Sequence, residues 1–295
     1  MQCLRRQPSI RIRGHSGCQI DVVSALGQTW IQKSATTPES AARLRRQIHK
    51  QREARRSNRL ASIWIPEIHS EQDLPDGGYS VRMEYLHLLD CLEFYSTASL
   101  DDVEGIANQL ITYIDANLAA SSLKPVEATV LLDKLDAIER QLSVAHQITT
   151  YRPLLASVRA RVADLRGLRL PVGPTHGDLT LSNVMVASDL SCIGLFDFLD
   201  SYLDSPLVDI AKVRQDTQFG WSSLMFEAPL DRVRFKQIMR HTDAIMVDHF
   251  AKHEWFCRGV DVIQAVNLLR ISPYATSPAT HEFVIEALRE LGFDS

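Results

Sequence analysis

Three polar side chains in residues 174–211 have the types and the spacing that phosphoryl transfer requires. Asp178 and Asn183 lie five residues apart, and Asp197 ends a short apolar run further along the chain. Magnesium prefers hard oxygen ligands and keeps several of its waters, so one carboxylate and one amide beside the substrate phosphates are enough to hold it. A further carboxylate must orient the attacking hydroxyl and accept its proton. Asn183 and Asp197 therefore fit the metal ligands, and Asp178 fits the base.

Two short strands must position these side chains. Residues 184–186 and 193–196 are apolar runs rich in β-branched or aromatic residues, which predicts a strand at each. The turn-prone pair Ser188-Asp189 joins them, so we expect a hairpin. The polar loop that carries the base and the amide enters this hairpin, and Asp197 lies at its far end. We expect the three side chains to converge on one divalent ion and its triphosphate.

The motif H-x-D-x-x-x-x-N, followed by an apolar strand and an aspartate, resembles the catalytic and metal-binding loops of protein-kinase-like phosphotransferases. The H-G-D form, with F-D-F-L-D and then S-P-L-V-D-I-A, is similar to the aminoglycoside phosphotransferase and choline kinase family. The resemblance implies that Asp209 braces the catalytic loop from the following helix. It also implies that His176 packs and hydrogen-bonds beneath the loop, and that Asp200 is a second acid near the metal.

The resemblance implies an α+β fold with two lobes, a small antiparallel-sheet N-lobe with one helix and a larger, mostly helical C-lobe. The patterns agree with it, since strands are predicted at 9–13, 18–24, 29–34 and 79–83 and a capped helix at 37–56. Further helices are predicted at 100–119, 126–147, 151–165, 231–252, 260–269 and 281–291, and one begins at Pro206. We expect a nucleotide-binding lobe over 1–86 and a catalytic and substrate lobe over 87–295.

A glycine-containing loop lies between the first two predicted strands and includes Gly14, Ser16 and Gly17. Backbone N–H groups of such a loop approach phosphates without interference from Cβ atoms. An ordinary hairpin turn is the alternative. Because the loop precedes Lys33 and lies upstream of the motif above, we interpret it as a phosphate-binding loop.

The resemblance implies further nucleotide contacts. A strand lysine at the position of Lys33 holds the α- and β-phosphates of ATP; the alternative is an exposed lysine on an edge strand. A glutamate on the next helix pairs with that lysine. Here His49 lies about where the acid is expected, and we assign the pairing to Glu53. The carbonyl of Glu84 and the N–H of Leu86 lie at the interlobe hinge, where they would contact the adenine edge.

The region after Asp197 should recognise the acceptor. Its acidic residues favour a cationic acceptor, either an aminoglycoside or a quaternary amine, although neutral sugars, nucleosides and amino alcohols stay open. A quaternary amine would need an aromatic cage, and aromatic residues at such spacings also belong to ordinary cores. The acids are Asp200, Asp204, Asp216 and Glu227, and the aromatic residues are Tyr202, Phe219, Trp221 and Trp255.

Five cysteines lie far apart, in an odd number and without a C-x-x-C pair. This pattern indicates reduced thiols in a cytoplasmic protein rather than a disulfide framework or a zinc site. No apolar run approaches the roughly 18 residues that a membrane span needs. Arg5 and Arg6 are not followed by the apolar core of a signal peptide. We therefore expect a cytoplasmic protein without a membrane segment.

The N-terminal part is strongly basic, since residues 1–60 contain 13 Lys or Arg and 3 Asp or Glu. Such a run can bind nucleic acid, but no aromatic residues interleave here for base stacking. The composition therefore favours a solvated helix face over a nucleic-acid site. The basic residues concerned are Arg43, Arg45, Arg46, Lys50, Arg52, Arg55, Arg56 and Arg59.

These patterns and the resemblance predict an ATP- and magnesium-dependent kinase. It would transfer the γ-phosphate to a hydroxyl of a small molecule such as an aminoglycoside, a choline-like amino alcohol or a sugar. The alternative is a kinase-like protein that binds a nucleotide or a partner without catalysing transfer. The histidine at position 49, where the resemblance leads us to expect an acidic residue, supports this alternative.

Overall fold

The computed structural model describes residues 9–12, 18–25, 27–145, 147–226 and 231–293. They form two compact units, which are the described parts of 1–89 with 185–200 and of 90–184 with 201–295. The predicted boundary at residue 87 places 185–200 in the second lobe, whereas this segment groups with the first unit. The expected phosphate loop with Gly14, Ser16 and Gly17 lies outside the described residues.

The elements follow one another in a simple order along the described residues. The strands are β1 Ser9–Ile12, β2 Gln19–Ala25, β3 Gln28–Ala35, β4 Ile63–Trp64, β5 Ile68–Asp73, β6 Tyr79–Glu84, β7 Leu89–Asp90, β8 Ser122–Pro125, β9 Arg169–Val172, β10 Val184–Val186 and β11 Ile193–Leu195. The α-helices are α1 Pro38–Ser57, α2 Cys91–Thr97, α3 Leu100–Ala119, α4 Ala128–Val144, α5 Ile148–Ala163, α6 Pro206–Thr217, α7 Arg232–Phe250, α8 Glu254–Leu269 and α9 Pro278–Glu290.

The first unit is built on a five-stranded antiparallel sheet in the order β1-β2-β3-β6-β5. β3 is the central strand, and Lys33 lies opposite Ile20 of β2 and Val81 of β6. Lys33 is therefore on an interior strand and is only 4% exposed. A second sheet has the order β4-β11-β10-β7, with β11 parallel to β4.

The helix α1 covers one face of the five-stranded sheet. It begins with a capping box in which Thr37 accepts the N–H of Ser40, and Pro38 occupies the first turn. Its apolar stripe, Ala41, Leu44 and Ile48, is buried in one core. The sheet residues of that core are Ala35, Tyr79, Val81 and Met83. Burial of this stripe fixes which face of α1 points away from the sheet.

The second unit is mostly helical and is organised around α6. Every residue of this helix is buried, from Pro206 to Thr217. It packs against α8, α7, α3 and β9. Ser205 caps its N-terminus by accepting the N–H of Leu207. The charged side chains of a helix that is buried on all sides need partners inside the protein. Most of those of α6 find them in the loop that carries Asp178.

The α+β fold class predicted from the sequence is confirmed, and most boundaries agree within a few residues. Among the predicted elements, the largest difference is α8, which begins at Glu254 rather than at residue 260. The strand β5 and the helix α2 were not predicted. Gly259 lies inside α8, where an added Cβ would be 3.2 Å from Leu207 of α6. This glycine permits close helix packing instead of ending the helix. Within the described ranges, no helix combines the length and the apolarity needed to cross a bilayer.

Candidate active site

The first group of candidate residues lies in the first unit, where Lys33 and Asp197 form an ion pair between Nζ and Oδ1. Lys33 is buried, so it is not the exposed edge-strand lysine that the sequence left as an alternative. Asp197 follows β11 and has a φ of 62°, a left-handed conformation that is uncommon for a residue other than glycine. Such conformations cluster at functional sites, where the surrounding structure must hold them.

The pairing expected between Lys33 and Glu53 is not formed in the part of the chain that the structure describes. Glu53 is exposed and accepts a hydrogen bond of 2.7 Å from Arg56 on the same helix. His49 is exposed as well. The reason is the rotation of α1 about its axis. The face that contains Ile48 packs on the sheet, and positions 49 and 53, one turn apart, lie together on a different, exposed face.

Cations of α1 hold the segment that follows Asp197. The Nε of Arg46 donates to Asp200 Oδ2 at 2.7 Å, and the Nζ of Lys50 donates to the carbonyl of Leu199 at 2.8 Å. Asp200, which the resemblance places near the metal, is thus in an ion pair with α1. The helix contacts the segment 199–200 through positive charges, instead of contacting Lys33 through a negative one.

Ion pairs cover much of the remaining basic surface of α1. The contacts join Arg45 to Asp73, Arg52 to Glu71, Arg55 to Glu67 and Arg56 to Glu53. Paired charges of this kind contribute little to stability at a surface, but they neutralise the helix. The pairing agrees with a solvated helix face and weakens the case for a nucleic-acid site.

The two hinge residues differ in what they offer a ligand. The carboxylate of Glu84 accepts from the indole of Trp64 at 3.0 Å and from the N–H of Glu67 at 3.1 Å. Its backbone N–H donates to the carbonyl of Glu67. The N–H of Leu86 has no hydrogen-bond partner among the described residues. Among the described residues, the Leu86 N–H is therefore available for the adenine contact that the resemblance implies.

The second group of candidate residues lies in the second unit, around Asp178. The Nζ of Lys212 on α6 is 3.0 Å from Asp178 Oδ1. Burial alone would raise the pKa of the Asp178 carboxyl, but the Lys212 ammonium, helped by His176 and Arg270, holds that pKa below its ordinary value. With its side chain 31% exposed, Asp178 is an ionised carboxylate that a ligand can still reach.

Asn183 is fixed on the same loop. Its Nδ2 donates to the backbone carbonyl of Asp178 at 2.8 Å and lies 3.3 Å from Asp178 Oδ2. The amide nitrogen therefore faces Asp178, which leaves the amide oxygen for a cation. Asp178 and Asn183 meet in the second unit, and Asp197 meets Lys33 in the first. Their action on one metal ion stays a prediction.

The donor set suits magnesium. Within the described residues, no three His, Cys, Asp or Glu side chains form a group that could hold a metal. Magnesium in phosphoryl transfer does not require such a group, because one or two protein oxygens act together with substrate phosphates and water. The amide oxygen of Asn183 and the carboxylate of Asp197 are oxygen ligands of this kind.

Three charged residues on one face of α6 hold the loop that carries Asp178. Asp209, Lys212 and Asp216 are spaced at i, i+3 and i+7, which aligns them along the helix. Asp209 accepts the N–H groups of His176 at 2.7 Å and Gly177 at 2.8 Å, which is the bracing contact that the resemblance implies. We call this set of three residues the α6 stripe.

The far end of the loop is held by Asp216, which accepts the N–H groups of Leu181 and Ser222, both at 2.6 Å. Burial raises the pKa of Asp216 to about 6, against the lowering effect of these two donors and of Lys212. Asp216 therefore has a structural position inside the unit, which differs from the substrate-facing role expected from the sequence.

The H-G-D segment has a conformation that explains its residue types. Gly177 has a φ of 87°, which glycine adopts without the steric cost that a Cβ would bring. His176 is fully buried, and its Nδ1 accepts the N–H of Asp178 at 3.3 Å. His176 thus supports the loop from beneath rather than facing a ligand.

Two of the four acids proposed for a cationic acceptor have their side chains engaged elsewhere. Asp200 pairs with Arg46, Asp216 is buried, and Glu227 lies outside the described residues. The backbone carbonyl of Asp204 accepts the N–H of Gly173.

The aromatic residues pack with different neighbours. Tyr202 lies under the guanidinium of Arg270 and Trp221 lies against Phe283, while Trp255 joins Phe250 and Phe256 and Phe219 is half-buried. These contacts do not form the cage expected for a quaternary amine.

Lys212 is the main site residue that the sequence analysis missed. It lies three positions after Asp209, and residues at that spacing share a helix face. The spacing from Asp209 was therefore the available signal. Arg46 and Lys50 were noted only as part of the basic run, because nothing local marks which acid or carbonyl they meet.

The loop that carries Asp178 and Asn183, braced by Asp209 on α6, has the arrangement that the resemblance implies for a phosphotransferase. The chain belongs to the phosphotransferase enzyme family, abbreviated APH, whose family model matches residues 21–232. No sequence among the curated proteins matches the chain.

Solved structures establish the kinase-like fold. A thermostable mutant of aminoglycoside phosphotransferase APH(4)-Ia in its apo form aligns with a TM-score of 0.66 at 12% identity, over 97% of this chain and 92% of its own. An ethanolamine kinase from Plasmodium vivax gives 0.55 at 10% identity, over 99% and 83%. Macrolide 2'-phosphotransferase type I gives 0.53 at 14% identity, over 96% and 90%.

Proposed function

We propose that this protein is an ATP- and magnesium-dependent kinase that transfers the γ-phosphoryl group to a hydroxyl of a small molecule. The observation that carries the proposal is the ionised Asp178 carboxylate, held 3.0 Å from Lys212 on a loop braced by Asp209. A structure of the similar protein APH(4)-Ia, with a TM-score of 0.62, is a ternary complex with AMP-PNP and hygromycin B. That complex supports nucleotide use here.

Asp178 would act on the acceptor hydroxyl. It orients the hydroxyl oxygen toward the γ-phosphorus and receives the proton as the new O–P bond forms. The bond between the γ-phosphorus and the bridging oxygen breaks, and ADP leaves with that oxygen. A carboxylate whose pKa lies below its ordinary value is a weak base, so positioning contributes more than proton affinity.

The predicted metal and nucleotide ligands would each contact a part of MgATP. Asn183 and Asp197 would each supply an oxygen ligand to magnesium, which when bound neutralises charge on the phosphates. Lys33 would contact the α- and β-phosphates. The N–H of Leu86 and the carbonyl of Glu84 would contact adenine. Lys33 and Asp197 pair with each other. When MgATP binds, the phosphates would take the place of Asp197 beside Lys33, and the metal would take the place of Lys33 beside Asp197.

The acceptor would be an aminoglycoside, an amino alcohol or a sugar. The engaged state of Asp200 and Asp216 removes two of the acids that favoured a cation, so neutral hydroxyl compounds belong in the same test.

The second candidate function is nucleotide or partner binding without transfer. The ion pair between Lys33 and Asp197 favours this second function, because the residue proposed for the phosphates and the residue proposed for the metal neutralise each other. Both functions predict nucleotide binding, and only the first predicts consumption of ATP that depends on an acceptor.

The test is a screen of aminoglycosides, choline-like amines, sugars and nucleosides for ADP release that depends on the acceptor. We expect at least one class to stimulate release. Asp178→Asn should retain nucleotide affinity and lower turnover by about 10²–10⁴-fold. Asp189→Asn, a change at a surface turn, is the control. Normal nucleotide binding with no stimulated release would favour the second candidate function. Unchanged turnover of Asp178→Asn would remove Asp178 from the mechanism.

A further inference from the structure

Lys212 occupies an unusual place for a lysine. It lies in the middle of α6, whose residues are all buried, and is itself 7% exposed. Its ammonium has two close acceptors, Asp178 Oδ1 at 3.0 Å and Gln215 Oε1 at 3.3 Å. Burial of an ammonium is costly unless it is paired. An apolar residue would pack here at lower cost, so the charge calls for a reason beyond packing.

The contacts of Lys212 constrain the base from the side of the helix. One oxygen of the Asp178 carboxylate faces the Lys212 ammonium, and the other is 3.3 Å from the amide of Asn183. Two contacts to different oxygens fix both the rotation and the position of the carboxylate. The position of Lys212 relative to the loop is fixed, because Asp209 and Asp216 of the α6 stripe hold both ends of the loop by hydrogen bonds.

Other charges around this pair do not replace Lys212. Asp216 belongs to the same stripe, one turn further along α6, and is partnered by two backbone N–H groups. His176 lies beneath the loop, and its Nδ1 accepts the N–H of Asp178. Arg270, at the end of α8, stacks on Tyr202 and donates to Asn267. Among the described residues, Lys212 is the cation in an ion pair with Asp178.

We propose that Lys212 is a positioning residue for phosphoryl transfer, which holds the Asp178 carboxylate in the orientation that the acceptor hydroxyl requires. The assignment rests on the proposed function. In this role Lys212 would act through Asp178 and would touch neither the substrate nor the transferred group. Its contribution therefore depends on Asp178 and should vanish when Asp178 is already replaced.

The experiment is a double-mutant cycle with wild type, Lys212→Met, Asp178→Asn and the double variant. The probe is MgATP alone, with water as acceptor, and the readout is the initial rate of ADP release. We expect Lys212→Met to lower kcat about 10²-fold, the lower end of what a positioned base contributes, and to leave the KM for ATP within about twofold. In the Asp178→Asn background the same change should have no further effect on kcat.

Two further variants separate positioning from packing. Lys212→Arg keeps the charge and should recover most of the lost kcat, while the exposed Lys236→Met is the control and should match wild type. If Lys212→Met does not fold, Lys212→Gln replaces it in the cycle. Equal losses in both backgrounds would overturn the assignment. A folded Lys212→Met with unchanged kcat and a lower melting temperature would also overturn it.

Urea unfolding of the same four proteins gives a readout that needs no activity. We expect Lys212→Met to destabilise the wild type more than the Asp178→Asn variant, because the pair is already broken in the latter. Equal destabilisation in the two backgrounds would overturn the assignment. If the wild type turns over neither water nor any acceptor, the proposed kinase function fails. The unfolding cycle then decides alone whether Lys212 holds Asp178.

Discussion

The ammonium of Lys33 contacts the carboxylate of Asp197, although the two residues are 164 positions apart in the chain. Each was expected to bind a different part of MgATP. Their direct contact means that each side chain neutralises the other. A nucleotide phosphate would compete with Asp197 for Lys33, and a metal would compete with Lys33 for Asp197.

Lys33→Met should weaken the binding of MgATP. A hydrogen bond to a charged group contributes about 1.5–3 kcal/mol, so the dissociation constant should rise about 10- to 100-fold. Titration calorimetry with the magnesium complex of AMP-PNP measures this change. Lys124→Met, at an exposed position of β8, is the matched control. Equal affinity of Lys33→Met and wild type would remove Lys33 from the nucleotide site.

Asp197→Asn should weaken nucleotide binding only when magnesium is present. The change removes a metal ligand and also releases Lys33 from its ion pair. Metal-free ATP should therefore bind at least as well as to the wild type, while the benefit of magnesium is lost. Calorimetry in magnesium and in EDTA separates the two effects. A loss of the same size in both buffers would contradict a metal role for Asp197.

Lys50→Met should disturb the segment that carries Asp197, because the carbonyl of Leu199 loses its donor. We expect nucleotide affinity to fall by a factor of about 3–10, as for one hydrogen bond of about 1 kcal/mol. Arg43→Met is the control, since Arg43 is exposed on the same helix. If both variants bind the nucleotide like the wild type, the α1 contacts are surface ion pairs without a role at the site.

Gly177→Ala should cost stability and activity together. Its φ of 87° disfavours any residue with a Cβ, by about 1–2 kcal/mol, and a shift of the backbone here moves Asp178. Gly167→Ala is a matched control, because its φ is 78° and an added Cβ would meet nothing within 4 Å. Both variants should unfold at lower urea concentration. A comparable fall of kcat in both would show that the effect is global.

Asp216→Asn should change how stability depends on pH. The folded-state pKa of about 6 lies above the ordinary 3.8, so the folded protein binds more protons between these values. The contribution of Asp216 to the free energy of unfolding therefore falls as pH rises from about 4 to about 6, by up to about 3 kcal/mol in total.

Urea unfolding at several pH values tests this linkage. The difference between Asp216→Asn and the wild type should shift in favour of the variant as pH rises through that range. Asp248→Asn, an exposed change on α7, should show no such trend. A constant difference between Asp216→Asn and wild type would contradict the raised pKa.

Local patterns predicted the fold well, because hydrophobic spacing and caps act within a few residues. The capped start of α1 at Thr37 and the limits of α3 follow from such signals. The same holds for Asp178 and Asn183, whose contact spans five residues. These features depend on short-range geometry, which a single sequence records directly.

Contacts between distant segments were harder to predict. Glu53 was assigned to Lys33 from its place in a helix, but the rotation of α1 on the sheet directs it toward Arg56. Lys212 meets Asp178 across 34 positions of sequence, and Arg46 meets Asp200 across 154. Which cation meets which acid is decided by packing, and the residue types alone permit several pairings.

The α6 stripe makes the geometry of the loop that carries Asp178 independent of the exposed surface of the second unit. Asp209, Lys212 and Asp216 are all buried, so the scaffold that holds Asp178 does not depend on residues at the surface. Substitutions on exposed parts of the second unit can accumulate without moving Asp178. If the protein has the kinase function proposed here, exposed residues could change during evolution, and the accepted compound with them, while the geometry around Asp178 stayed the same.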